Sequence, residues 1–248
     1  MPDVVGYRVK FGVIVPSTNT VVEADYNQMA PHGVTFHTGR MYIGQPVMDS
    51  DDAFRAILGQ IRESIGIAIR DVMTCKPDYM IMGMSSETFW GGAAGNAQFI
   101  ERVRAQSGLS VSTGASACRA ALERYGVTRI AVLSPYQPIA DKQVAWFFEE
   151  SGFQVVRFKG LRCPTATSIA EVPEAPLRRI LVEELNGPEV EAIVQVGTNL
   201  SMVRLADEAE RWLGKPVLAI NAVTLWHALR AAGVTDQQRG FGSLLREH

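Results

Sequence analysis

The chain is poor in the residues that usually announce a function. Only three of its 248 residues are cysteine and four are histidine. Cys75, Cys118 and Cys163 lie far apart, without CxxC spacing or a neighbouring histidine. That pattern excludes a structural zinc site and a disulfide framework, and it points to a reducing compartment, the cytoplasm. Basic residues are scattered and the formal net charge is −2. The chain therefore lacks the concentrated basic face that nucleic acid or an anionic membrane requires. No apolar run reaches the roughly 18–20 residues of a membrane span. The opening MPDVVGYRVKFG lacks the charged-then-apolar layout of a secretory signal. GxSxG, Walker A, HExxH and GxGxxG patterns are absent too, which removes the main support for lipase, NTPase, zincin and dinucleotide-enzyme readings. GGAAGN (91–96) is glycine-rich without the dinucleotide spacing and is expected to open a helix packed tightly on a sheet.

What is present is ordinary globular material, 47% hydrophobic and 20% charged, with ample apolar residues for a core. Short apolar runs at 11–17, 34–43, 78–83, 109–113, 129–135, 153–161, 191–197 and 215–221 read as strands. Amphipathic stretches such as 51–73, 138–152 and 201–214 read as the helices between them. This alternation predicts an α/β fold with parallel sheets covered by helices on both faces. The halves echo each other: VIVPSTN (13–19) resembles AVLSPYQ (131–137), and IMGMSSE (81–87) resembles VQVGTNL (194–200). Two similar lobes are expected, 1–115 and 116–248, with part of the C-terminal helix packing on the first. Gly126, Gly152, Gly214 and Gly233 each follow an amphipathic run, as helix C-terminal caps should.

In open parallel sheets, ligands bind beyond the carboxyl ends of the strands. That rule selects four loops carrying Ser17, Thr18, Asn19, Ser85, Ser86, Thr88, Tyr136, Thr198 and Asn199. Ser, Thr and Asn are also the preferred helix N-caps, so each residue alone has a bland explanation. Four such loops at matching strand ends form a set of neutral donors able to hold a carboxylate or a developing enolate. Of the histidines (His32, His37, His227 and His248), His227 lies in the helical LWHALRAAG, where a packed or solvent-facing ring is expected.

VPSTNTVVEADY, an MG-x-S strand end followed by FWGGAAGN, then VLSPY, TNL, NAVTLWHALRAAGV and a closing GFGSLL span about residues 8 to 245. This combination resembles the maleate cis–trans isomerase and arylmalonate decarboxylase branch of the Asp/Glu racemase superfamily. The resemblance implies two Rossmann-like, flavodoxin-like lobes related by a pseudo-two-fold axis, with the site between them and no metal or organic cofactor. It implies chemistry at the carbon next to the carboxylate of a small mono- or dicarboxylic acid. Members of that family carry a cysteine after the third strand of each lobe. Here the first position falls on Gly83 or Met84 and the second on Gly197, so the family pattern is broken at both. Cys75 and Cys118 are expected to be structural thiols, and Cys163 falls in a loop.

By the same resemblance, Asn19, Ser85, Ser86 and Tyr136 correspond to donors that bind a substrate carboxylate. Ser17, Met84, Thr88, Gly197, Thr198 and Asn199 flank them. Glu87 is the only acidic residue in the four loops, beside Met84, Phe89 and Trp90. An apolar setting of that kind suits a carboxyl for general acid–base work. The plainer alternative is that Glu87 complements the dipole of the following helix. The leading expectation is an isomerase or decarboxylase without catalytic thiols, with Glu87 or water moving the proton. One alternative is a hydrolase or ring-opening enzyme using Glu87-activated water, and another is a non-catalytic carboxylate-binding protein. A homo-oligomer is also expected.

Overall fold

The structure, a computed structural model, describes residues 3–248. Eight strands form: β1 Val9–Pro16, β2 Val34–Met41, β3 Tyr79–Met82, β4 Val111–Ser112, β5 Arg129–Ser134, β6 Gln154–Gly160, β7 Ala192–Gln195 and β8 Val217–Ala219. They make two four-stranded sheets of orders β2-β1-β3-β4 and β6-β5-β7-β8, with every pairing inside them parallel. The identical order means that the second half repeats the topology of the first. β3, β5, β7 and β8 are buried along nearly their whole length, as strands covered on both faces must be.

Ten helices connect them: α1 Val22–Gln28, α2 Asp51–Met73, α3 Ser86–Phe89, α4 Gly92–Ser107, α5 Gly114–Tyr125, α6 Pro138–Glu150, α7 Glu174–Arg179, α8 Val203–Leu213, α9 Ile220–Ala231 and α10 Ser243–Glu247. α7 runs on into a π-helical turn, Ile180–Leu185. The long α2 starts where Ser50 accepts a hydrogen bond from the Ala53 N–H, with Asp51 and Asp52 complementing the helix dipole. Phe54, Ile57, Leu58 and Ile61 recur at helical spacing and are buried, which gives α2 its inward face. Gly91 opens α4 with φ +81°, a left-handed conformation that suits a residue without a side chain. No helix among the described residues is long and apolar enough to cross a membrane.

The halves are tied by α9 as well as by the cleft. α9 packs on α5 and also against α1, β3 and β4 of the first half. His227 of α9 bonds Ser112 Oγ of β4 at 2.7 Å, and Tyr79 reaches the same hydroxyl at 3.0 Å. Burial, with Arg119 nearby, pushes the His227 imidazole below the usual histidine range. On the other flank, Asn221 Nδ2 donates to Asp25 Oδ2 of α1 at 2.7 Å and to the Thr198 carbonyl at 2.9 Å.

Burial pushes the Asp25 carboxyl up to about 6, although the Asn221 amide favours its charged form. A carboxyl raised on folding stabilises the native state fully below its unfolded value and loses that contribution as pH rises through the folded one. We therefore expect Asp25→Asn to flatten the stability profile between about pH 4 and 6. At pH 8 the variant should be more stable than the parent by on the order of 2 kcal/mol. Urea denaturation across pH checks this, and parallel profiles for the two proteins would contradict it.

Candidate functional site

Beyond the carboxyl ends of β1, β3, β5 and β7, four loops meet around a cavity of about 60 Å³. That exceeds the roughly 10–15 Å³ a single water needs. The β3 end turns sharply at Gly83, which lies under Val15 and Val22, leaving no space for a side chain. Met84, the next residue, lines the cavity.

Ser85 is the hub of the site. Its hydroxyl lies 2.5 Å from the Tyr136 hydroxyl of the second half, and it accepts the Gly197 N–H at 3.2 Å. Two hydroxyl protons are present, and one is used between the two oxygens. The other is left to point at a ligand. Tyr136 is buried, and desolvation pushes its phenol far above the ordinary range, so it stays protonated. Its ring packs edge-on against Phe54 of α2 at 5.5 Å.

Asn19 links the start of α1 to the second half. Its Oδ1 accepts the Val21 and Val22 N–H groups at the start of α1, while Nδ2 reaches Thr198 Oγ1 at 3.3 Å. Asn199 Oδ1 accepts the Thr20 N–H at 3.0 Å, and its Nδ2 donates to the Ala166 carbonyl at 2.9 Å. The N–H groups of Thr198 and Asn199 have no acceptor among the described residues. Gly197 has φ +100°, and a side chain there would start 2.4 Å from Cγ of Pro135.

Asn19, Met84, Ser85, Ser86, Tyr136, Gly197, Thr198 and Asn199 all line the cavity, as the sequence expected. Three other expected residues stand outside it. Ser17 Oγ accepts the Ile43 N–H, holding the loop after β2. Thr88 is buried and caps Ser85, donating to its carbonyl at 2.7 Å. Glu87 needs the larger correction. Its carboxylate is only 4% exposed, but it turns to the far side of α3 and forms a two-pronged ion pair with Arg62, at 2.8 and 3.0 Å. Its carboxylate is held by the Arg62 guanidinium, a partner the sequence did not predict. The water-activating hydrolase reading loses its base by the same geometry.

Sequence reasoning missed the apolar wall. Ile43 and Met48 follow β2, Phe54, Ile57 and Ile61 come from α2, and Ala166 and Ile169 follow β6. Segments 42–50 and 161–173 meet through an antiparallel bridge between Val47 and Thr165, with Met48 N–H on the Pro164 carbonyl. Their length was the available signal, since most such connections run about two to six residues. No cysteine lines the cavity. Cys118 is fully buried in α5, Cys163 has its thiol pushed up to about 11 by burial, and Cys75 Sγ bonds the Val72 carbonyl. Among the described residues no three His, Cys, Asp or Glu side chains converge as metal ligands would.

A family model described as arylmalonate decarboxylase matches residues 11–245. The chain is 26% identical over 241 residues to an arylmalonate decarboxylase of Bordetella bronchiseptica, covering 95% of this chain and 96% of that one. It is 25% identical over 249 residues to a maleate isomerase of Nocardia farcinica, covering 96% of each. A solved Nocardia farcinica maleate cis–trans isomerase variant, with a covalently bound succinylcysteine intermediate, matches the fold with a TM-score of 0.85 at 23% identity. That match covers 97% of this chain and 99% of the solved one. With the doubled parallel-sheet topology and nearly the full length in agreement, the chain belongs to the arylmalonate decarboxylase family, whose relatives include an isomerase and a lyase.

Proposed function

We propose that the protein is a cofactor-independent decarboxylase of a small malonate-type dicarboxylate with an apolar substituent, working without a catalytic thiol. One observation carries the reading. The cavity joins a linked set of neutral donors to an apolar wall, and Tyr136 is the only ionisable side chain among its described lining residues. Racemisation needs a base to remove the α-proton, and thiol-adduct isomerisation needs a nucleophile. Decarboxylation needs neither. It generates the carbanion by breaking a carbon–carbon bond and asks only for charge stabilisation and a proton donor. Gly83 or Met84, and Gly197, stand where the family resemblance leads one to expect thiols, and neither Gly83 nor Gly197 has space for a side chain.

In this mechanism the one free hydroxyl proton of the Ser85–Tyr136 pair, with Ser86 and the free N–H groups of Thr198 and Asn199, holds the carboxylate that is retained. The second carboxylate faces Ile43, Met48, Ile57 and Ile169, which cannot solvate its charge. The bond from its carbon to the α-carbon breaks and neutral CO2 departs. The electron pair passes into the retained carboxylate as an enediolate, whose charge the same donors stabilise. The α-carbon then takes a proton from Tyr136, kept protonated by its burial, and water restores the phenol.

Phenylmalonate is the direct test, with CO2 release and product followed by NMR in D2O. We expect loss of one carboxylate and a single deuteron at the α-carbon, and no conversion of maleate to fumarate. Binding without turnover would favour the non-catalytic reading, and fumarate formation the isomerase reading. Ser85→Ala and Tyr136→Phe should each lower kcat by about 10²–10³. Glu87→Gln should lower it less than about tenfold, because losing a true acid–base group costs about 10²–10⁴. A loss in that larger range would return Glu87 to the chemistry.

A further inference from the structure

A second cavity, of about 250 Å³, lies between α2 and α4, with Ile61 in the walls of both it and the reaction pocket. Ile65, Phe99 and Val103 form its apolar floor, and Arg62, Arg102 and Gln106 supply its polar groups. Glu87 sits at its base and takes two hydrogen bonds from Arg62 through Nε and Nη2. Arg102 Nη2 lies 3.7 Å from Glu87, too far for a hydrogen bond, and its guanidinium stands 5.6 Å above the Phe99 ring. Two guanidinium groups thus face one carboxylate, leaving an excess positive charge. Each guanidinium has five N–H donors in a rigid fork. Arg62 Nη1 and all the donors of Arg102 have no hydrogen-bond acceptor among the described residues.

We propose that this cavity is a binding site for a carboxylate with a short apolar body, distinct from the reaction pocket. Its head group spans Arg62 and Arg102 beside Gln106, and its body lies on Phe99, Val103 and Ile65. Planar guanidinium groups match a carboxylate in two-pronged geometry, and the apolar floor suits a hydrophobic body. Glu87 competes with the ligand for Arg62, so the site is tuned to bind weakly and reversibly. The same Glu87 is adjacent to Ser86 of the reaction pocket, so an occupant here sits one residue from the carboxylate-holding turn.

Benzoate serves as the probe, titrated into the full chain and followed residue by residue through amide chemical shifts. We expect saturable shifts at Phe99, Arg102, Val103 and Gln106 with one shared Kd. Arg102→Ala should weaken that Kd at least tenfold while leaving any shifts at Ser85 and Thr198 with their own Kd unchanged. Glu87→Gln removes the competing carboxylate and should tighten binding several-fold, with thermal melting confirming that the variant is folded. Benzamide, the uncharged isostere, should bind at least tenfold more weakly. Absence of saturable shifts on α4, an unchanged Kd in Arg102→Ala, weaker binding in folded Glu87→Gln, or equal affinity for benzamide would each overturn the proposal.

Discussion

The contact on which the rest depends is the hydroxyl pair of Ser85 and Tyr136, 2.5 Å apart and joined by the Gly197 N–H. Each partner sits at the carboxyl end of a different strand, and the strands belong to different sheets. Buried polar groups of this kind are expensive unless they are paired. Ser85 of one half finds its partners in the other, so the docking of the halves and the assembly of the pocket are a single event. Asn19 to Thr198 and Thr20 to Asn199 extend the seam on the same side. α9 locks the far side through Asn221 and His227.

The electrostatics of the pocket follow from its composition. Its polar side is made of neutral dipoles alone, and no arginine or lysine lines it among the described residues. In a water-excluded cavity, fixed dipoles aimed at developing charge act strongly without having to reorganise. A full positive charge would bind the ground-state carboxylate as well as the enediolate and add little discrimination. The charged pair nearest in sequence to the hub, Glu87 with Arg62, is kept on the other side of α3. Burial leaves Tyr136 as a neutral acid beside the hub, and the apolar wall from α2 and the two long loops supplies the opposite preference.

Much of the fold was legible in the sequence because strand and helix periodicities differ and the apolar runs are short and well punctuated. Seven of the eight strands fall within their expected segments, β1 starts two residues ahead of its segment at Val9, and α2 spans the expected 51–73. The strand-end rule then located Asn19, Ser85, Ser86, Tyr136, Thr198 and Asn199 without any contact information. Glu87 was misread because sequence adjacency was taken for shared direction. Successive side chains on a helical turn diverge by about 100°, so Ser85 and Ser86 can face the cleft while Glu87 points away from it. Thr88, one residue further on, turns back to cap Ser85.

The sequence by itself determined the elements, their parallel pairing and the four polar strand ends, because these are properties of local pattern and residue identity. Only the tertiary structure decided which of those polar residues share a cavity and which residues face them. Phe54, Ile57 and Ile61 look like ordinary helix core in the sequence, and only the approach of segment 161–173 turns that face into a pocket wall. The stretch M-S-S-E-T carries five neighbours to different fates: Met84, Ser85 and Ser86 to the pocket, Glu87 to Arg62, and Thr88 to the turn it braces. Side-chain direction at a strand-to-helix turn is fixed by what packs around it, and no local pattern encodes that packing.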